Sequence, residues 1–227
     1  MSEVISFRAA HNCPRGAVSL TTGTIGLHAG ISYRTTDEVC RVLHLAWHYV
    51  LTVTDDIEQW AYVVPRLDLM EQQILAGICD LVATTRPRVP YGFQYANSRF
   101  DEDARFIPAA GERGLTCATF VMAVFELARI PLLAAETWSP TVMTAARLEE
   151  DAQTQAQLVT LLRETRNATK EHVDAVEQEV GCMRFRCEEV AAASGLSVRP
   201  VAFDVAEREG ANIRAAFATL QQSVVND

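Results

Sequence analysis

The feature that most constrains this chain is a change of hydrophobic period along its length. Its first sixty residues carry β-prone runs, the clearest of which, Thr24 to Tyr33, alternates at a step of two, the pattern of a half-buried strand. From Arg66 onward the apolar residues recur at steps of three and four, as on amphipathic helices. A strand-rich first part must therefore pack against a helix-rich remainder.

In the strand-rich part, Val4 to Phe7 is short and β-prone. Thr24 to Tyr33 alternates, with Leu27, Ala29, Ile31 and Tyr33 on one face and His28, Gly30 and Ser32 on the other. Val39 to Val53 is rich in β-branched and aromatic residues. It sets Leu43, Leu45, Trp47 and Tyr49 against Val42, His44, Ala46 and His48. Thr35 to Glu38 supplies a turn, so the two runs are expected to pair antiparallel.

Arg66 to Thr85 reads as a helix with the stripe Leu67, Met70, Ile74, Ile78 and Leu81, ended by Pro87 and Pro90. Tyr91 to Gly114 is an irregular loop with the composition of a site wall. A helix from Thr116 to about Ile130, stopped by Pro131, carries the wide stripe Phe120, Val121, Val124, Phe125 and Ala128 and is expected at the centre. Thr141 to Val180 reads as long helix with a break at Asn167 to Thr169, closed by Gly181. Shorter helical stretches follow at about Arg186 to Ala193 and Val205 to Gln222. Residues 1–138 form the expected core and 139–227 a helical extension packed on it, a lid, a partner-binding module or a dimerisation surface.

A net charge of −9 argues against a nucleic-acid-binding surface, which needs clustered Lys and Arg. No apolar run approaches the ~20 residues of a membrane span. The first residues lack the basic-then-apolar order of a secretory signal. The expectation is a cytoplasmic protein, or one exported without a cleavable signal. The six cysteines are scattered, without a CxxC pair, and most are expected to be buried thiols of a reducing compartment. Of the twenty basic side chains, Lys170 alone is lysine. A GC-rich coding bias accounts for this, and so does avoidance of lysine near a lysine-modifying system.

Cys117 is the candidate nucleophile. A polar approach, Gly111 to Thr116, ends at it and an apolar helix begins there. A thiol at a helix start faces unpaired N–H groups and the positive end of the helix dipole, both of which favour thiolate. His28 is the candidate base and His44 its orienter, since an antiparallel pairing brings both to one sheet face. His48 shares that face but lies ~13 Å further along at ~3.3 Å per residue. Were the run from Val42 helical instead, His44 and His48 would share a helix face and could bind metal. His11-Asn12-Cys13-Pro14 pairs His with Cys locally but precedes no helix.

Leu27-His28-Ala29-Gly30-Ile31-Ser32-Tyr33, followed by Val42-Leu43-His44, resembles the histidine hairpin of the NlpC/P60 superfamily of papain-like cysteine hydrolases. Leu115-Thr116-Cys117-Ala118-Thr119-Phe120-Val121 resembles that superfamily's cysteine helix. Pro90-Tyr91-Gly92-Phe93-Gln94-Tyr95 looks like the aromatic segment of its circularly permuted members, although Gly92 stands where an acidic residue is common. Histidine before cysteine is the order of the permuted branch, which includes the YiiX-like and lecithin:retinol-acyltransferase-like groups.

The resemblance, over roughly residues 20 to 130, implies an α+β papain-like core with a small antiparallel sheet packed on the cysteine-bearing helix. It implies a thiol-dependent hydrolase or acyltransferase acting on an amide, isopeptide or ester bond. Cys117, His28 and His44 would be its triad, with Tyr91, Phe93 and Tyr95 near the substrate. No cofactor and no metal are expected, and a protein or peptide substrate is favoured over a lipid. The competing class is a non-catalytic helical interaction protein or a degenerate hydrolase retained for binding.

Overall fold

A computed structural model describes residues 7–9, 13–95, 99–111 and 113–225. It is a mixed α+β fold with a six-stranded antiparallel sheet in the order β1-β6-β2-β3-β4-β5. The strands are β1 (Phe7–Ala9), β2 (Gly16–Thr22), β3 (Leu27–Arg34), β4 (Cys40–Trp47), β5 (Val50–Thr54) and β6 (Ala61–Val63). A two-stranded ribbon pairs β7 (Arg99–Phe100) with β8 (Phe106–Ile107). Six α-helices complete the described residues: α1 (Leu69–Thr85), α2 (Cys117–Leu127), α3 (Ala145–Arg163), α4 (Lys170–Glu177), α5 (Cys187–Ser194) and α6 (Phe203–Val225).

The strand reading needs three corrections. β2 was not foreseen, because its Ser19 and Thr residues broke the apolar run. It pairs with β3 along its whole length, from Gly16↔Tyr33 to Thr22↔Leu27. Residues 24–26, expected in strand, are instead its turn, closed by Gly23 N–H to Gly26 O with Gly26 at φ +69°. Val39 to Val53 is not one strand but a hairpin, with a register shift between Leu45 and Trp47 and Tyr49 at φ 59°. His48 therefore sits in the turn, off the face of His44. Of the run Val4 to Phe7, residues 4–6 lie outside the described residues, as do His11 and Asn12.

One sheet face buries Leu20, Ala29, Ile31, Tyr33, Leu43 and Leu45 against the helices. On α2, Phe120, Val121, Val124 and Phe125 are all fully buried. Each contributes roughly 1.5–3 kcal/mol relative to exposure. Thr116 and Thr119 form a reciprocal capping box at its start, fixing where the helix opens. The buried face of α1 is rotated from the one expected: Leu67 and Ile78 meet the core as expected, but the rest of the stripe does not. Leu75, Ala76, Cys79 and Val82 are buried, whereas Met70, Ile74 and Leu81 are exposed. Two overlapping apolar stripes run along this helix, and the sheet takes the one with the smaller side chains.

The helical part from residue 139 joins the same core. Val190, Ala191, Ala192 and Ala193 of α5 belong to one apolar cluster with the strands and α2. The break within the long helix falls before α4, capped by Thr169. α3 is tied to the segment before α5 by buried charge. Asp151 faces Arg184 Nη1 at 3.1 Å, Arg186 Nε at 2.9 Å and Arg147 Nε at 3.6 Å. Arg147 also pairs with Glu189, Arg186 with Glu150, and Arg214 with Glu188.

Most cysteines are free thiols as expected, but Cys13 and Cys40 form a disulfide. Cys79, Cys117, Cys182 and Cys187 are free. The pairing joins residues 27 positions apart across the start of the sheet, which spacing alone did not indicate.

Two backbone segments meet just before α2. Leu115 N–H donates to Pro90 O at 3.0 Å, and Gly92 N–H to Leu115 O at 3.4 Å. A Cβ on Gly114 would lie 2.0 Å from Pro90 O, so only glycine permits this approach. Gly114→Ala is expected to cost about 3 kcal/mol or more. Gly77→Ala, on an open surface of α1 with nothing within 4 Å of its Cβ position, is expected to gain about 0.5–1 kcal/mol. Urea unfolding midpoints moving in opposite directions would check both. Asp151→Ala removes the carboxylate shared by Arg147, Arg184 and Arg186 and leaves Arg184 without its ion pair, and is expected to lower stability by about 3 kcal/mol in the same assay.

Candidate active site

The β3–β4 ladder runs only from Arg34↔Cys40 to Ile31↔Leu43. Beyond Ile31 the register ends, and Leu27, His28, Leu45, Ala46 and Trp47 line a cavity of about 370 Å³. Cys117, at the first position of α2, stands at this opening.

His28 and His44 lie diagonally across the two strands. His28 Nε2 and His44 Nδ1 are 2.8 Å apart, with the rings 5.0 Å apart and nearly perpendicular. Gly30 makes this possible, because a Cβ there would come within 3.1 Å of His44 Cβ and 2.8 Å of Val42 Cγ1. Trp60 packs its ring 5.1 Å from His44 and 5.9 Å from His28, closing the pair from the side. With Nε2 engaged by His44, Nδ1 is the His28 nitrogen left for the Cys117 sulfur, whose charge acts on His28.

Several groups hold the Cys117 thiol well below its usual range. The hydrogen bond from Cys187 is the largest cause; burial opposes it; the His28 charge, the His28 hydrogen bond and the Ala29 backbone N–H reinforce it. For His28, burial disfavours the cation, but the charge and hydrogen bond of Cys117 outweigh it and the pKa is raised. Burial first, and the His28 charge second, push His44 down to about 4. These directions favour charge separation between Cys117 and His28, with His44 kept neutral and its Nδ1 placed to accept from His28 Nε2.

Cys187 lies outside the segment that motif reasoning reached. Its Sγ is 3.6 Å from Cys117 Sγ and 3.2 Å from Leu27 O, so its single S–H proton has two acceptors in reach. It opens α5 as Cys117 opens α2. The helical part also supplies Gln155, Leu158, Leu161, Arg184 and Phe185 to the cavity wall. The one sequence signal for Cys187 was a cysteine at a helix start after Arg184-Phe185-Arg186, the pattern that singled out Cys117.

The aromatic segment divides. Tyr91 and Phe93 line the cavity. Tyr95 does not: its hydroxyl donates to Glu126 Oε1 at 2.9 Å and its ring packs on Phe185. The backbone of Tyr91 is gripped from both sides, its N–H donating to His48 Nδ1 at 3.2 Å and its carbonyl lying 2.8 Å from His172 Nε2. Glu179 Oε2 accepts from the N–H groups of Phe93 and Gln94 at 2.7 and 3.2 Å. His48 is thus part of a clamp on the cavity wall. The helical metal alternative does not arise, because the run from Val42 is strand; among the described residues no group of three or more His, Cys, Asp or Glu side chains is arranged to hold a metal.

Comparison with family models, curated proteins and solved structures returns no match for this chain. Among the described residues no helix is long and apolar enough to cross a membrane.

His48 is almost fully buried, and burial, with His172 and Arg88 beside it, holds its pKa at about 4. At this residue the folded chain therefore binds fewer protons than the unfolded chain between about pH 4 and pH 6.5. The neutral state's contribution is complete above about pH 6.5 and is lost as pH falls toward 4, at no more than about 1.4 kcal/mol per pH unit for this residue. His48→Asn keeps an acceptor for Tyr91 N–H without the titration. Its urea midpoint is expected to fall less between pH 7 and pH 5 than that of the unsubstituted protein.

Proposed function

We propose that this protein is a thiol-dependent hydrolase or acyltransferase that cleaves an amide, isopeptide or ester bond through Cys117, His28 and His44. The observation that carries this reading is the convergence of Cys117 and the His28–His44 pair, whose ring nitrogens are 2.8 Å apart, on the wall of one cavity of about 370 Å³, with Cys117 lowered and His28 raised by each other. The papain-like permuted architecture belongs to the same proposal. An antiparallel hairpin bearing both histidines, with the cysteine at the start of a buried helix behind it, supports it.

In this reading the Cys117 thiolate attacks the carbonyl carbon and the carbonyl π pair moves onto oxygen. The Cys117 backbone N–H, unpaired at the first turn of α2, faces that oxyanion. As the tetrahedral intermediate collapses, His28 gives its Nδ1 proton to the leaving amine or alkoxide, and an acyl-Cys117 thioester remains. Neutral His28 then takes a proton from water or another acceptor nucleophile, which attacks the thioester and releases Cys117. His44, kept neutral by its surroundings, holds the His28 ring in orientation throughout. No cofactor enters this sequence. Ile25, Leu158, Leu161, Trp47 and Phe93 give the cavity an apolar wall suited to an uncharged acyl segment. A protein or peptide substrate fits this reading, with the scissile bond at the cavity mouth.

Iodoacetamide labelling across pH, followed by a panel of electrophilic peptide, ubiquitin-type and lipid probes, tests this reading. Cys117 is expected to alkylate well below the usual thiol pKa of about 8.5, far ahead of Cys79 and Cys182. Cys117→Ala should abolish probe turnover and His28→Ala should lower it at least about a hundredfold. His44→Ala should lower it by less, and His48→Ala should act chiefly on stability. Turnover should decline at alkaline pH as His28 loses the proton it gives to the leaving group. Uniform, slow alkylation of all four free cysteines would instead identify a binding protein without this chemistry.

A further inference from the structure

Two thiols in this fold share an unusual placement. Cys117 and Cys187 are each the first residue of a helix, the two helix starts converge on one point, and the sulfurs stand 3.6 Å apart. A disulfide requires about 2.05 Å, a closure of roughly 1.5 Å that side-chain rotation and a small backbone shift can supply. Both sulfurs line the cavity, which is wide enough to admit a small peroxide. The other two free thiols do not line it. Cys79 is fully buried in the core, and Cys182 is hydrogen-bonded with Gln155 and pushed up to about 11 chiefly by burial.

We propose that Cys117 and Cys187 form a peroxide-responsive dithiol: a hydroperoxide reaching the cavity converts the pair to a disulfide, and a dithiol reductant restores it. In the first step the Cys117 thiolate attacks the distal peroxide oxygen. An S–O bond forms, the O–O bond breaks, and the departing alkoxide or hydroxide takes the His28 proton to leave as alcohol or water. Cys117 is then a sulfenic acid and His28 is neutral. In the second step the Cys187 sulfur attacks the Cys117 sulfur, the S–S bond forms and the S–O bond breaks. The Cys187 proton goes to the departing hydroxide, which leaves as water. The two thiols have lost two electrons and the peroxide has gained them.

The electrostatics set the order of these steps. While Cys117 is a thiolate, the hydrogen bond to it first, then burial, then its charge hold Cys187 well above the usual thiol range, so Cys187 keeps its proton. Oxidation of Cys117 to the neutral sulfenic acid removes that charge, and the Cys187 sulfur becomes easier to deprotonate at the moment it is needed. A resolving thiol in van der Waals contact also traps the sulfenic acid before a second peroxide carries it to the irreversible sulfinic state. The device acts on the nucleophile itself, because the disulfide occupies the sulfur that would attack a carbonyl. It rests on the thiolate character of Cys117 and not on the bond that Cys117 cleaves.

The test uses the full chain without substrate. The protein is treated with hydrogen peroxide, unfolded in alkylating agent, digested without reduction and examined by mass spectrometry. The expected product is a cross-linked peptide pair carrying Cys117 and Cys187, about 2 Da lighter than the two thiol peptides combined. Dithiothreitol should return nearly all of the Cys117 thiol. In Cys187→Ser the cross-link should be absent and Cys117 should accumulate as sulfinic acid, about 32 Da heavier, with less than about a tenth of its thiol recoverable. Cys117 of the unsubstituted protein going directly to sulfinic acid would overturn the proposal. So would an unreactive Cys117, or cross-linking to Cys182 or between chains. The first measurement needs no variant, and the iodoacetamide profile reports separately whether Cys117 is a thiolate at all.

Discussion

A single buried carboxylate, Asp151, organises the relation between the two parts of this molecule. It stands on α3 and faces three guanidinium groups, one from its own helix and two from the segment leading into α5. Unpaired, any of these charges would be costly to bury, so the segment 184–186 has one low-energy position. That position sets where α5 begins. It places Cys187 against Cys117 and Arg184 and Phe185 on the cavity wall. The helical part is thereby a structural component of the cavity. Its apolar face is continuous with the sheet's core through Val190 to Ala193.

The four described histidines separate into two pairs with different tasks, and the sheet geometry makes the division. Where β3 and β4 stop pairing, His28 and His44 reach each other across the opening beside Gly30, with Trp60 against both rings. Past the irregularity at Leu45–Trp47 the chain turns, and His48 points to the backbone of Tyr91 together with His172. One pair stands with a thiol, and the other fixes the loop that carries Tyr91 and Phe93. Glu179 holds the next two N–H groups of the same loop, and Gly92 and Gly114 let it lie directly against the approach to α2. The cavity wall is a loop, yet the backbone groups of Tyr91, Gly92, Phe93 and Gln94 are all hydrogen-bonded.

Charge at the site follows from contact more than from the helix start alone. Burial by itself would raise the Cys117 thiol, as it does Cys79, which is fully buried in the same core. The difference is the set of donors aimed at Cys117: the Cys187 S–H, the His28 imidazolium and the Ala29 N–H. Two of these come from the opened edge of β3 and one from α5, so the thiolate depends on both parts of the chain. Neutral His44 completes the set, since burial first and the His28 charge second disfavour its cation.

The amino-acid sequence by itself determined the helix that opens at Cys117, the break before α4, and the face shared by His28 and His44. Each of these rests on local periodicity, capping chemistry or strand alternation, which are properties of neighbouring residues. The strand count was less legible. β2 mixes Ser and Thr into its apolar run and β6 is three residues long, so both are stabilised chiefly by their partners. The face of α1 was undecided locally, because two apolar stripes compete and only packing against the sheet selects Leu75, Ala76, Cys79 and Val82. Tertiary structure alone decided the Cys13–Cys40 pairing, the position of Tyr95 at Glu126 instead of in the cavity, and the meeting of Cys117 with Cys187, 70 residues apart. Such contacts leave no periodic trace in the chain; they exist because buried charge, close backbone approach and a shared apolar core admit only one way to bring those distant segments together.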